Sequence, residues 1–230
     1  MKMLRVVLAL LVAFAPAAGA QVVGTLPDKS PFLDLHDGPQ LGFVGGWIVT
    51  GHDAVGVNAK SAGVVGVRYD LAIGGPVYVT GMVLGGSTNR TVLDYTKAAA
   101  LRNTGTKGLD LVDASVAIAL SLTGRRTWHR LQPLVNIGVG VVSGPGDQGD
   151  ISGYSFGTAF QFSYGAGLRL VTSSRSEFRL DINQFWWEVK YPPLYRSTQG
   201  DPVAIKPTGS LSSWTANTGL TLAWSLRAFR

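Results

Sequence analysis

The chain has 230 residues, a formal net charge of +6 and only 15% charged residues, against roughly 25% in ordinary soluble domains. It holds 30 glycines and no cysteine, which excludes disulfides, thiolate metal sites and a cysteine nucleophile. Low charge with abundant glycine suits a β-rich protein with a large apolar exterior, and basic residues scattered along the chain give no nucleic-acid footprint.

In chain order, Lys2 and Arg5 form a basic n-region, Val6 to Ala15 an apolar h-region, and Ala18-Gly19-Ala20 a small-residue cleavage site. Together they predict a secretory signal peptide over residues 1–20, too short to be a membrane anchor, with the mature chain starting at Gln21. Residues 21–38 carry two prolines and no strong period. They read as a leader packed at the rim of the domain formed by residues 39–230.

Eight runs of period-two alternation follow, the pattern of β-strands. They cover Gln40 to Thr50, Ser61 to Ile73, Pro76 to Gly86, Leu109 to Leu122, Leu131 to Ser143, Ser155 to Thr172, Glu177 to Lys190, and Ser213 to Phe229. In the sixth, Phe156, Phe160, Phe162, Tyr164, Leu168 and Leu170 oppose Gly157, Ala159, Gln161, Ser163, Gly165 and Arg169. In the seventh the phase slips near Gln184 and Phe185, which predicts a β-bulge. In the eighth, Trp214, Leu220, Leu222, Trp224 and Leu226 oppose Thr215, Asn217, Gly219 and Thr221.

The connections alternate in length, starting with a long one. Loops at Gly51 to Lys60, Ser87 to Gly108, Gly144 to Tyr154 and Tyr191 to Ser212 are longer than the turns at Gly74-Gly75-Pro76, Thr123 to Arg130 and Ser173 to Ser176. Short periplasmic turns and longer extracellular loops are the habit of outer-membrane barrels. The predicted fold is all-β: an eight-stranded antiparallel up-and-down transmembrane β-barrel with both termini in the periplasm. A soluble barrel would need charges over its exterior, whereas the polar faces of the fourth to sixth runs hold mainly Gly, Ala, Ser, Asn and Gln, residues that suit a crowded lumen. Aromatic residues fall at the strand ends: Trp47, Phe156, Trp186, Trp187 and Trp214 on one side, Tyr69, Tyr78, Trp128, Phe178 and Trp224 on the other. Two aromatic girdles are expected at the bilayer interfaces.

The signal peptide, the eight runs, the loop pattern and the closing Asn217-x-Gly219-x-x-Leu222-x-Trp224 resemble the small OmpA/OmpX-type outer-membrane barrels of Gram-negative bacteria, over roughly residues 39–229. The resemblance implies a monomer surrounded by outer-membrane lipid and lipopolysaccharide. It also implies that Asn217, Gly219, Leu222 and Trp224 form the signal read by the barrel-assembly machinery. One departure stands out: such chains usually end on an aromatic residue facing lipid, whereas Phe229 is out of phase with Trp224 and Arg230 follows it. Either the signal ends at Trp224 or a bulge near Arg227 restores the phase.

The predicted inward faces carry Arg68, Asp70, Asp113, Arg169, Arg179 and Asp181, three of each sign. Buried charges need partners, so these six are expected to form a network that plugs the lumen. Gly153-Tyr-Ser155-Phe-Gly157 matches a nucleophile elbow in letters, but a strand follows where the elbow needs a helix. His52-Asp53 in the first loop is a weak acid/base pair, and Asp147 to Asp150 a weak calcium turn. Arg125, Arg126, His129 and Arg130 make a basic turn, read first as a solvated one, with contact to anionic inner-leaflet headgroups as the alternative. No cofactor, metal or catalytic residue is expected. The reading favours a structural or surface-interaction barrel; the alternatives are a porin-like narrow channel for small or apolar solutes, and a lipid A-modifying enzyme.

Overall fold

The computed structural model describes residues 30–35, 38–173, 175–199 and 203–227. The predicted signal peptide, most of the predicted leader, Phe229 and Arg230 lie outside the described residues. Ten strands are described: β1 Phe32–Asp34, β2 Gln40–Val49, β3 Ala62–Gly74, β4 Val77–Leu93, β5 Asn103–Ser121, β6 Arg126–Trp128, β7 Leu131–Ser143, β8 Thr158–Val171, β9 Ser176–Lys190 and β10 Ser212–Arg227. All but β1 and β6 form one antiparallel up-and-down ring of eight strands. β10 pairs with both β9 and β2, and β7 with both β5 and β8, so no edge is left open along the wall.

The ring follows from the alternation. Residues of one parity face inward and are buried, while those of the other face outward and stay bare. Phe43 and Val65 are each 70% exposed, values a soluble core could not tolerate. On β3 the outward row runs Val65, Val67, Tyr69, Leu71, Ile73. The eight steps from Val65 to Ile73, at about 3.3 Å each and tilted by about 40°, give a band on the order of 20 Å tall. The outward rows of β5, β7, β8, β9 and β10 continue it with Val116, Ile137, Phe160, Leu180 and Leu222.

Four differences from the sequence reading have physical causes. The long second loop is mostly strand: β4 and β5 run on as a paired arm up to Leu93↔Asn103, leaving only residues 94–102 to connect them. Polar Ser, Thr, Asn and Lys residues dominate that arm, which hides its alternation. No bulge interrupts β9 at Gln184 or Phe185, because its pairing with both β8 and β10 is continuous there. The apparent slip arises because Phe185, Trp187 and Val189 are apolar yet face inward. A bulge does occur in β3 between Ala72 and Gly74, beside the turn into β4. Finally, part of the leader forms β1, which pairs with β6 in the turn between β5 and β7.

Gly219 shows how tightly the wall and its contents fit. A Cβ there would meet the Phe185 ring at 2.6 Å. Gly219→Val is expected to cost about 1–3 kcal/mol by overpacking, read as a lower urea midpoint. Unboiled wild-type protein should also migrate differently from boiled protein on a denaturing gel, and identical bands would contradict the closed ring.

Candidate functional site: a layered lumen under a folded cap

Inward side chains sort into layers along the barrel axis. In the middle, Arg68 on β3 places Nε 2.6 Å from Asp70 Oδ2 and Nη1 2.7 Å from Asp181 Oδ2. Arg179 on β9 places Nε 2.9 Å from Asp181 Oδ1 and Nη1 3.3 Å from Asp70 Oδ1. Spacing of two along a strand puts each Arg and its Asp on the same face. The two pairs meet across the lumen, since β2 and β10 separate β3 from β9 in the ring. The Thr80 hydroxyl accepts from Arg68 Nη2 at 3.1 Å and donates to Asp70 Oδ1 at 2.5 Å. Opposite Asp181 stands Gly167, where a Cβ would lie 2.1 Å from Oδ1; the quartet has room only because that residue is glycine.

The other two predicted charges lie elsewhere. Toward the turns, Arg169 Nε is 3.0 Å from Glu177 Oε1, and Nη1 donates to Gln132 Oε1 at 3.0 Å. Its guanidinium lies 4.5 Å from the centre of the Tyr78 ring, and Gln40 Nε2 donates to Glu177 Oε2 at 2.9 Å. Sequence reasoning missed Glu177 because it stands at the edge of a run, where a charge reads as a boundary. Its parity with Arg179 and Asp181 was the available signal. Toward the loops, Asp113 accepts from Ser115 Oγ at 3.2 Å and from Gln161 Nε2, with no cation bonded to it among the described residues. The six predicted charges therefore form one quartet and two separate sites rather than a single network. A void of about 20 Å³ remains among Arg68, Ser115, Asn136, Ser163, Arg179 and Asn183, space for one water.

Above Asp113 the lumen turns apolar. Val44, Ile48, Val64, Leu84, Leu109, Leu111, Val142, Phe185 and Trp187 form one buried cluster. The loops then fold inward over it. Arg90, fully buried on β4, places Nε 2.8 Å from Asp147 Oδ2 and Nη1 2.5 Å from Asp150 Oδ2 in the third loop. An arginine thus occupies the place that the sequence reading offered to calcium. Tyr154, Tyr195 and Tyr191 stack in succession at 6.5 and 5.9 Å, and Tyr191 OH donates to Asp53 Oδ2 at 2.8 Å. Asp53 also accepts from the Val55 and Asn58 backbone N–H groups. Its carboxylate is thus a loop organiser, and His52 is exposed beside it without bonding to it. Burial pushes the Tyr195 hydroxyl up to about 12, so it stays protonated. Ser155 of the elbow match is exposed in the loop entering β8, with no helix after it.

The closing-strand residues divide by parity. Leu222 and Trp224 are exposed on the outer face. Asn217 is buried within, its Oδ1 accepting from the Gly51 N–H at 3.0 Å and its Nδ2 donating to Thr215 O at 3.1 Å. Of the aromatic residues assigned to girdles, Trp47 and Trp214 are exposed on the outer face near the loops, with Trp186 half-buried against Phe162. Tyr69, Trp128, Phe178 and Trp224 are exposed near the turns. Three assignments are corrected. Tyr78 faces inward under Arg169, and Trp187 faces inward with Nε1 donating to Asn58 Oδ1 at 3.2 Å. Phe156 lies in the third loop against the apolar cluster. The shared error was to treat every large aromatic at a strand end as outward, although this lumen holds aromatics too.

No protein-family model matches the chain, and no curated protein matches it in sequence. Among solved structures, the outer membrane protein OprG from Pseudomonas aeruginosa shares the fold, with a TM-score of 0.51 at 9% identity over 88% of this chain and 100% of that one. The attachment invasion locus protein Ail of Yersinia pestis, solved with the heparin analogue sucrose octasulfate, aligns with a TM-score of 0.37 at 12% identity, over 82% of this chain and 99% of that one. The fold is that of a small outer-membrane β-barrel.

Removing one partner of a buried ion pair leaves the other charge stranded, at a cost of about 3–5 kcal/mol. Arg68→Ala should therefore lower the unfolding midpoint severely. Arg126→Ala, which breaks an exposed pair with Asp34, should change it by less than about 1 kcal/mol. In the cap, burial works to raise the pKa of Asp147, but bonds from Arg90, the Phe156 N–H and Lys107 outweigh it and hold the carboxyl well below the usual range. Such a group stabilises fully above its unfolded value of roughly 4 and loses that contribution only as pH falls through the lower folded value. The third loop should therefore resist proteases at pH values where free carboxylates are already protonated. Asp147→Asn should make it cleavable at neutral pH.

Proposed function

We propose that the protein is a structural or surface-interaction barrel of the bacterial outer membrane, with a lumen closed to solutes. The observation that carries this reading is the layered lumen. The Arg68, Asp70, Arg179, Asp181 quartet spans it, an apolar cluster fills it above, and the loops cover that cluster. Eight strands leave room for side chains rather than a passage, and the void beside the quartet has space for one water only. The bare apolar belt supports lipid as the surrounding solvent, because soluble proteins rarely leave such a surface uncovered.

On this reading the turns face the periplasm and the loops, with the β4–β5 arm, face outward beside lipopolysaccharide. Outward-facing Leu222 and Trp224 remain available to the assembly machinery while the chain is inserted.

Single-channel recording in planar bilayers tests the seal. Wild-type protein should add no resolved current steps above the lipid background, and reproducible steps at neutral pH would overturn the sealed-lumen reading in favour of a narrow channel.

A further inference from the structure

At the turn end the wall carries an appendage that the sealed barrel does not need. β1 pairs with β6, with Phe32 opposite Trp128 and Asp34 opposite Arg126, and Trp128 stands opposite Leu131 of β7. Residues directly opposite share a face, so Phe32 and Trp128 lie on the outer face with Leu131. Pairing carries that row onward through Leu170, Phe178 and Trp224. The appendage thus extends the apolar belt downward, with Phe32 and Trp128 about half exposed. On the other side of the ribbon Thr127 and Leu35 are buried and Leu33 is half exposed, with the Leu35 N–H donating to Arg125 O at 3.0 Å.

The rim beside this ribbon is basic. Arg125, Arg126, His129 and Arg130 are exposed in it, and Arg175 is exposed in the next turn, between β8 and β9. The two turns adjoin, since the Val171 N–H donates to Arg130 O at 2.9 Å. Among the described residues of this rim, Asp34 is the exposed acid. The third turn, Gly75-Pro76, carries no charge. The cations are therefore gathered on one side, directly below the outward aromatic pair.

The turn itself is unusual. His129 and Arg130 both adopt positive φ, at 48° and 68°, in the two-residue connection from Trp128 to Leu131. That mirror-image turn favours Asn-Gly, because a Cβ is disfavoured at both positions. The chain keeps a histidine and an arginine where the backbone prefers no side chain.

We infer that the β1–β6 ribbon with the adjoining β8–β9 turn is a foot that binds anionic phospholipid headgroups of the bilayer leaflet at the turn end. Phe32 and Trp128 seat at the hydrocarbon boundary, and Arg125, Arg126, Arg130 and Arg175 face the phosphates. Aromatic residues at the interface and a basic patch beside them are the two elements of such recognition. The inference rests on the outer-membrane reading and adds a lipid class and a location to it.

The test uses the full barrel in vesicles containing brominated phosphatidylglycerol or brominated phosphatidylcholine. Trp128 emission is taken as the difference between wild-type and Trp128→Phe proteins. Brominated phosphatidylglycerol should quench Trp128 at lower mole fraction than brominated phosphatidylcholine. Arg125→Gln and Arg130→Gln should each weaken that preference by up to about five-fold. His129→Asn/Arg130→Gly should raise the thermal midpoint while weakening the same preference, a combination that a merely structural turn would not give. Equal quenching by the two lipids in wild-type protein would overturn the foot while leaving the membrane barrel intact. Absence of quenching by either lipid in inserted, heat-modifiable protein would place Trp128 outside the bilayer and overturn it as well. Failure to insert at all would instead count against the outer-membrane reading. Should either arginine variant fold poorly, Arg175→Gln provides the same readout from the adjoining turn.

Discussion

Everything in this molecule follows from one constraint: a backbone placed in hydrocarbon has no water to bond, so its N–H and C=O groups must pair within the protein. The pairing of β10 with β2 meets that demand. Once the ring is closed with eight strands, its diameter is set, and with it the space available to the inward side chains. The lumen is then a packing problem with a fixed volume. Inward side chains fit only where the neighbouring wall is bare, as Gly167 is beside Asp181 and Gly219 beside Phe185.

The two halves of the lumen solve that problem differently. Near the turns, charges face opposite charges: the quartet alternates sign around a closed loop, and Arg169 is ion-paired with Glu177 and donates to Gln132. Near the loops, packing takes over, with Val, Leu, Phe and Trp facing inward as in a soluble core. Ion pairs in low dielectric are demanding in geometry, and replacing them with apolar residues is often neutral for stability. Their alternating arrangement, however, fixes which strands face each other, because Arg68 on β3 can meet Asp181 on β9 only in the closed ring. The apolar half tolerates more variation and carries the cap on its upper surface.

Much of the wall was legible in the sequence, because a wall has one apolar face and a period of two. The outer rows of β2, β3, β5, β7, β8 and β10 were read from parity alone. What parity could not show was the character of the inside. A polar lumen was assumed, so inward Phe185 and Trp187 looked like a slip of phase, and inward Tyr78 like an interfacial residue. The β4–β5 arm was equally hidden, since above the membrane both faces of a ribbon are polar and period two leaves no trace. Of the site, the charged residues were identifiable but their grouping was not. Whether Asp113 meets an arginine or Gln161 depends on axial height, which is set by strand register and cannot be read from one strand at a time. Glu177 and Arg90 escaped for a simpler reason: each stood at or beyond the limit assigned to its strand.

Asn217 gives the closing strand a second meaning. Its Oδ1 holds the Gly51 N–H across the junction of the last and first strands of the ring, while Asn58, which donates to Gly51 O, accepts from Trp187. Loop one is therefore fastened by residues that come together only when the ring has shut. Completion of the wall and ordering of that loop are a single event, and an unfinished barrel wears a different outer surface from a finished one. Closure of the ring by β10 is thus marked at the loop end of the barrel, at the opposite end of that strand from Arg227.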